Sequence, residues 1–164
     1  MSATRVAVAL GSNMDGPERH VRAACIELGA LPSTELVQCS PLYRTAPVGF
    51  ADQPPFINAV ALIETGLAPR ALLNELLAIE RRHGRVRDVP NGPRTLDLDI
   101  VLFGTMHHIE PGLTIPHPRM HERAFVLAPL VDVWPNAFIA ERGLAEEFLA
   151  RADRSGIEKL ETVE

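Results

Sequence analysis

The chain opens on an alternating, β-branched run, Arg5 to Leu10, that feeds Gly11-Ser12-Asn13, the pattern of a half-buried strand entering a turn. Pro17 suits the first turn of a helix, and Val21, Ala24, Cys25 and Leu28 then recur at helical spacing before Gly29 stops it. Glu35 to Tyr43 reads as a second strand, weakened at its end by Pro41. Pro47, Gly49, Pro54 and Pro55 make the stretch from Arg44 to Pro55 a loop. Phe56 to Glu64 is a third strand. Pro69 opens a strongly amphipathic helix whose stripe is Leu72, Leu73, Leu76, Leu77 and Ile79, ended by Gly84. A second loop, Arg85 to Arg94, leads into a fourth strand, Thr95 to Phe103.

The order β-α-β-β-α-β predicts an α+β, ferredoxin-like sheet with its helices on one face. Beyond it, Met106 to Ile115 suits a hairpin, Arg119 to Val131 a short helix and Gly143 to Ala152 a terminal helix. No Gly- or Ser-rich linker separates them, so residues 1–164 are expected to form one domain with a C-terminal extension. At 164 residues, no second catalytic domain is expected beside it. Hydrophobic residues are 46% and charged residues 23%, which supports a packed core and excludes a disordered chain.

No run approaches the ~18–20 apolar residues of a membrane helix, and the first ten residues lack the features of a secretory signal. Cys25 and Cys39 stand apart and make a poor disulfide framework. A cytoplasmic, monomeric protein is therefore the expectation. The net charge of -5 argues against a general nucleic-acid binder. Lys159 is the only lysine, so neither a P-loop nor a GxGxxG turn can handle phosphate here. That work would fall to arginine forks and metal ions.

The sharpest chemical signal is Arg94-Thr95-Leu96-Asp97-Leu98-Asp99-Ile100 on the fourth strand. Alternation places Asp97 and Asp99 on one face, ~7 Å apart along the strand. Two such carboxylates repel unless a cation lies between them, and hard oxygen ligands favour magnesium completed by water and phosphate. An ordinary solvated acidic face is the competing reading. Arg81, Arg82, Arg85, Arg87 and Arg94 surround the preceding loop, as a polyphosphate site requires. A helix C-terminus accounts for Arg81 and Arg82 but leaves Arg94 unexplained. Glu80 and His117 stand beside these groups, each also readable as a plain surface or turn residue. His107, His108, His117 and His121 lack the spacing of a zinc site. Aromatic residues are only 5%, and Phe56, Asn58 and Phe125 could hold a flat heterocycle, rings stacking and the amide reading an edge; core packing is the plainer reading of each Phe.

Taken in order, Tyr43-Arg44-Thr45, Asp52-Gln53-Pro54, Asn58, Glu80, Gly84-Arg85-Val86-Arg87, Gly92-Pro93-Arg94-Thr95-Leu96-Asp97-Leu98-Asp99-Ile100, Ile115-Pro116-His117-Pro118 and Arg123-Ala124-Phe125 closely resemble the 6-hydroxymethyl-7,8-dihydropterin pyrophosphokinases of the folate pathway. The resemblance spans Val6 to Pro135. It implies transfer of pyrophosphate from ATP, the co-substrate, to the pterin hydroxymethyl oxygen, with AMP leaving. It further implies two Mg2+ ions on Asp97 and Asp99, with Arg85 and Arg94 clamping phosphates. Glu80, Ile100, His117 and Arg123 would serve the nucleotide; Thr45, Val48, Phe56, Asn58, Asp97 and Phe125 would serve the pterin.

Some positions depart from the family pattern. Pro90 and Asn91 stand where many relatives carry a tryptophan and an extra basic residue. Leu77 replaces a frequent polar nucleotide contact, and Pro118 a frequent aromatic residue. Two other readings remain beside the resemblance: a magnesium-dependent nucleotidyltransferase or phosphohydrolase, which would not need the heterocycle clamp, and a pterin- or nucleotide-binding sensor.

Overall fold

A computed structural model of the chain describes residues 3–46, 54–84 and 95–160. The alternating first run forms β1 (Thr4–Ser12), which sends Val6, Val8 and Leu10 to one face and Ala7, Ala9 and Gly11 to the other. Helix α1 (Pro17–Gly29) starts at Pro17 and buries Val21, Ala24, Cys25 and Leu28, the stripe expected from their spacing.

The expected second strand is two strands. β2 (Thr34–Cys39) and β3 (Tyr43–Thr45) are separated at Ser40-Pro41-Leu42, and both pair with β4 (Phe56–Thr65). Proline cannot donate to a ladder, which explains the break. The Ser40 hydroxyl accepts from the Val60 N–H at 2.9 Å and keeps the interrupted edge tied to β4.

Helix α2 (Pro69–Arg82) follows, with Arg81 and Arg82 in its last turn, where cations complement the helix dipole. Gly84, at φ 79°, takes the left-handed conformation that ends the helix. Its buried stripe is Leu72, Leu76, Ile79 and Glu80; Leu77 is only half-buried, so a carboxylate occupies the place expected of a leucine. β5 (Asp97–Phe103) then pairs with β1. β6 (His108–Glu110) and β7 (Leu113–Ile115) make the expected hairpin.

In the C-terminal extension a 3-10 turn (Met120–Glu122) precedes α3 (Ala124–Val133), and a two-residue hairpin of β8 (Phe138–Ile139) and β9 (Gly143–Leu144) leads to α4 (Ala145–Arg151). β10 (Ile157–Lys159), which the pattern did not suggest, adds to β3. The main sheet runs β10-β3-β4-β1-β5, with β2 also on β4, and every recorded pairing is antiparallel.

This is the ferredoxin-like order, with one addition. α1 and α2 cover one face over a core that includes Val8, Leu10, Leu28, Ile63, Leu76 and Leu98. α3 covers part of the other face, over Ala7, Val60, Leu62, Leu127 and Leu130. A register shift opposite Ala7 and Val8 puts both Val101 and Leu102 on the α3 side while Ile100 and Phe103 remain under the helices. Each fully buried leucine contributes about 1.5–3 kcal/mol relative to exposure, so both layers stabilise the sheet. The two cysteines are unbridged, and the neighbouring Cys39 thiol, with burial, pushes the Cys25 thiol above its ordinary pKa. Among the described residues no helix is long and apolar enough to cross a membrane.

Candidate active site

α3 leaves one end of its face of the sheet open, and there a cleft of about 380 Å³ lies over β1, β4 and β5. Its floor follows from strand register. Gly11 pairs with Asn58 on one side and with Asp97 on the other, so three strands place one residue each in a single cross-strand row. In the next row Ala9 stands beside Asp99. Larger side chains on β1 would fill this floor; Ala9 and Gly11 keep it low between an acidic wall and an amide wall.

Asp97 and Asp99 point into the cleft together, as strand alternation requires, while Leu98 and Ile100 point into the helix-side core. Glu80 lies under the acidic strand. It is 1% exposed and accepts the Leu98 N–H on Oε2 at 2.8 Å. β5 ends the sheet, so Glu80 satisfies a backbone donor that the outer edge would otherwise leave unpaired.

On the opposite wall Phe56, Asn58 and Thr45 line the cleft. Asn58 is buried, and its Nδ2 donates to Thr45 Oγ1 at 2.8 Å, which fixes the amide plane. Phe125, from the start of α3, supplies a second ring, with the Arg123 guanidinium 5.6 Å from its centroid. Tyr43 donates to Asp132 of α3, joining the strand that carries Thr45 to the helix that carries Phe125. Asn13 Nδ2 donates to the Pro54 carbonyl at 3.1 Å and joins the turn after β1 to the approach of β4.

His117 enters from the segment after β7. Its backbone N–H is held by the Val101 carbonyl at 3.0 Å, and its Nδ1 accepts from the Arg119 N–H at 3.2 Å. In a neutral imidazole the proton then resides on Nε2, which becomes a donor. Burial, foremost, and the Arg123 guanidinium hold His117 below its ordinary pKa, with Asp97 opposing. The neutral donor form therefore dominates near pH 7.

The structure thus brings together Asp97, Asp99, Thr45, Phe56, Asn58, His117, Arg123 and Phe125 in one cleft. Glu80 and the Ile100 side chain lie behind it in the helix-side core, so Ile100 can offer a ligand only its main chain. Arg85, Arg94 and Val48 lie outside the described residues. Sequence reasoning missed Gly11, Arg119 and Glu122, which also line the cleft. Arg119 and Glu122 pair at 3.6 Å. Their closeness to His117 in sequence was the signal available; for Gly11 it was a glycine at the next outward step of an Ala7, Ala9 series.

The donor chemistry of the cleft fits magnesium. Among the described residues no group of three or more His, Cys, Asp or Glu forms a closed cage. Two carboxylates on one strand face supply hard oxygens only, and magnesium commonly takes one or two carboxylates with water and phosphate oxygens for the rest.

The family model described as 7,8-dihydro-6-hydroxymethylpterin-pyrophosphokinase (HPPK) matches residues 7–135. The chain belongs to this family. A Pseudomonas aeruginosa protein named 2-amino-4-hydroxy-6-hydroxymethyldihydropteridine pyrophosphokinase is 50% identical over 156 residues, covering 95% of this chain and 96% of its own. A Haemophilus influenzae protein of the same name is 48% identical over 126 residues, covering 77% and 79%. An Arabidopsis thaliana protein, "Folate synthesis bifunctional protein, mitochondrial", is 45% identical over 80% of this chain and 24% of its own length. Among solved structures, a Plasmodium falciparum HPPK-DHPS with pteroate shares the fold at a TM-score of 0.69 and 14% identity, over 91% of this chain and 42% of that one. The chain therefore spans under half the length of that solved HPPK-DHPS chain. As a member of the HPPK family it is an enzyme, a pyrophosphokinase of folate biosynthesis that acts on small molecules.

Proposed function

We propose that the chain transfers pyrophosphate from ATP to the hydroxymethyl oxygen of 6-hydroxymethyl-7,8-dihydropterin, giving AMP and the pterin diphosphate. A new bond forms between that oxygen and the β-phosphorus, the bond from the β-phosphorus to the bridging oxygen of AMP breaks, and the hydroxyl proton passes to solvent. The observation that carries the reading is the row of Asn58, Gly11 and Asp97, which sets an amide able to read a heterocycle edge one strand away on either side of a glycine from a carboxylate. Phe56 and Phe125 beside that row suit a flat ring, and Asn58, held by Thr45, offers it a fixed donor–acceptor edge.

Asp97 and Asp99 are the residues to hold two Mg2+ ions, which when bound neutralise the phosphate chain and acidify the acceptor hydroxyl. His117 donates from Nε2 to a phosphate oxygen, and Arg123 adds positive charge at the reacting end. Arg85 and Arg94 clamp phosphates, a role resting on the family resemblance, as do the main-chain contacts of Val48 with the pterin and of Ile100 with the nucleotide. Glu80 acts by holding the backbone between the two aspartates. The burial of Asn58 and Thr45 excludes water from the pterin end, where it would compete for the activated phosphorus. We read residues 1–164 as one catalytic unit, since both cores share a single sheet, acting as a cytoplasmic monomer.

Incubation with ATP, magnesium and the hydroxymethyl pterin, followed by mass spectrometry, tests this. AMP with a pterin diphosphate is expected. ADP with a pterin monophosphate would overturn the reaction type, and bound pterin without turnover would favour a sensor.

A further inference from the structure

Gly11 lies in the middle strand of the cleft floor, yet its backbone is outside the left-handed region, so the strand itself does not call for glycine. Ala7 and Ala9, its neighbours on the same face, show that a methyl group is accommodated elsewhere along this face. The difference is Asn58. A Cβ on Gly11 would stand 2.9 Å from Asn58 Oδ1, and the next atom, the Ile57 carbonyl oxygen, is 3.9 Å away. Among the described residues the side-chain amide is therefore the group that contests the space.

Asn58 has little freedom to give way. It is 8% exposed, and its Nδ2 is committed to Thr45 Oγ1 at 2.8 Å. Its short side chain can withdraw Oδ1 from β1 only by turning the amide, which swings Nδ2 off the threonine. The amide is thus set from two sides: Thr45 holds the donor end, and the bare Cα of Gly11 admits the acceptor end.

We propose that Gly11 is a positioning residue for heterocycle recognition, acting through Asn58: the missing Cβ lets the Asn58 amide lie in the one plane that presents its edge to the ligand. This rests on reading the cleft as the pterin site. Gly11 makes no contact of its own in this role, and its effect is selective for the ring-binding end of the cleft. The phosphate end, built from the aspartates, His117 and the arginines, is untouched by the amide's plane.

The test is a double-mutant cycle on the full chain, with 6-hydroxymethylpterin titrated in the presence of magnesium and a non-hydrolysable ATP analogue, and the analogue titrated alone. Wild-type protein that binds no pterin would overturn the reading of the cleft and this proposal with it. Given wild-type binding, Gly11→Ala is expected to weaken pterin affinity at least about tenfold, the scale of one charge-free hydrogen bond and its desolvation, and to leave analogue affinity within about twofold. In an Asn58→Ala background the same glycine change should add less than about twofold. Equal losses for both ligands, unchanged pterin affinity, or fully additive losses would each overturn the proposal. Should Gly11→Ala not fold, the Gly11→Ala/Asn58→Ala protein decides: recovery of a cooperative melt supports the contact, and failure of both overturns it.

Discussion

The two faces of the sheet are built from the same strands, and alternate residues give them opposite character. Under α1 and α2 the strands contribute Val6, Val8, Leu10, Ile57, Ala59, Ile63 and Leu98, and the layer is closed. On the other face α3 stops short, and the strand ends contribute Gly11, Asn58, Asp97 and Asp99. Stability and chemistry are thus separated by one residue step along each strand. Among the described residues the buried carboxylate of the closed face, Glu80, has the Leu98 N–H as its partner. The open face collects polar groups because ligands, not side chains, complete its contacts.

The widest predicted gap between the faces comes from Asp97→Ala. Turnover should fall at least about 1,000-fold, since several kcal/mol of charge stabilisation are lost, while the melting temperature stays within a few degrees. Near-normal turnover would remove Asp97 from the chemistry. The mirror experiment is Leu76→Ala beneath α2, where a fully buried side chain is cut back. It should cost about 2–5 kcal/mol of unfolding free energy, read from urea melts, with turnover per folded molecule little changed.

Glu80→Gln joins the two faces. An amide can still accept the Leu98 N–H but loses the charge, so a loss of about 1 kcal/mol is expected, against about 1–3 kcal/mol for Glu80→Ala, which orphans the donor. Turnover should track the hydrogen bond, with Gln well above Ala. Equal turnover in the two variants would deny Glu80 its hold on the acidic strand.

The smallest effect lies between α1 and the end of α2. His83 donates from Nε2 to Glu27 at 2.6 Å, which leaves its Nδ1 to accept from His20 at 2.7 Å. Burial, then His83 and Arg19, hold His20 below its ordinary value of 6.5, with Asp15 opposing. The unfolded chain therefore takes up the proton first. This contribution is complete above pH 6.5 and is lost as pH falls toward the lower folded value. His20→Gln should narrow the difference in urea midpoint between pH 7.5 and pH 5; an unchanged difference would place the acid sensitivity elsewhere.

Much of this was legible in the sequence because period-two alternation survives wherever one face is buried. Asp97 and Asp99 flanked by leucines announce both the strand and the face, and the Leu72, Leu76 and Ile79 spacing announces α2. The remainder depends on contacts distant in sequence. Whether Glu80 faces solvent or a strand edge eighteen residues later is invisible in a helical pattern. Ile100 alternates away from Asp99, so its place in the core follows from the same rule that pairs the aspartates. β10 is three residues long and rich in charge, so nothing local marks it as a strand until β3 is there to receive it.

The Glu80 contact has a further consequence, for how molecules of this protein meet one another. β5 is a terminal strand of seven residues, and a strand so placed offers its free backbone groups to any extended segment that drifts against it. A carboxylate seated on the Leu98 N–H occupies one rung of that template, and α2 lies against the same strand. The segment that bears the two aspartates thereby offers a stray strand one rung fewer, while its other face stays open to the cleft.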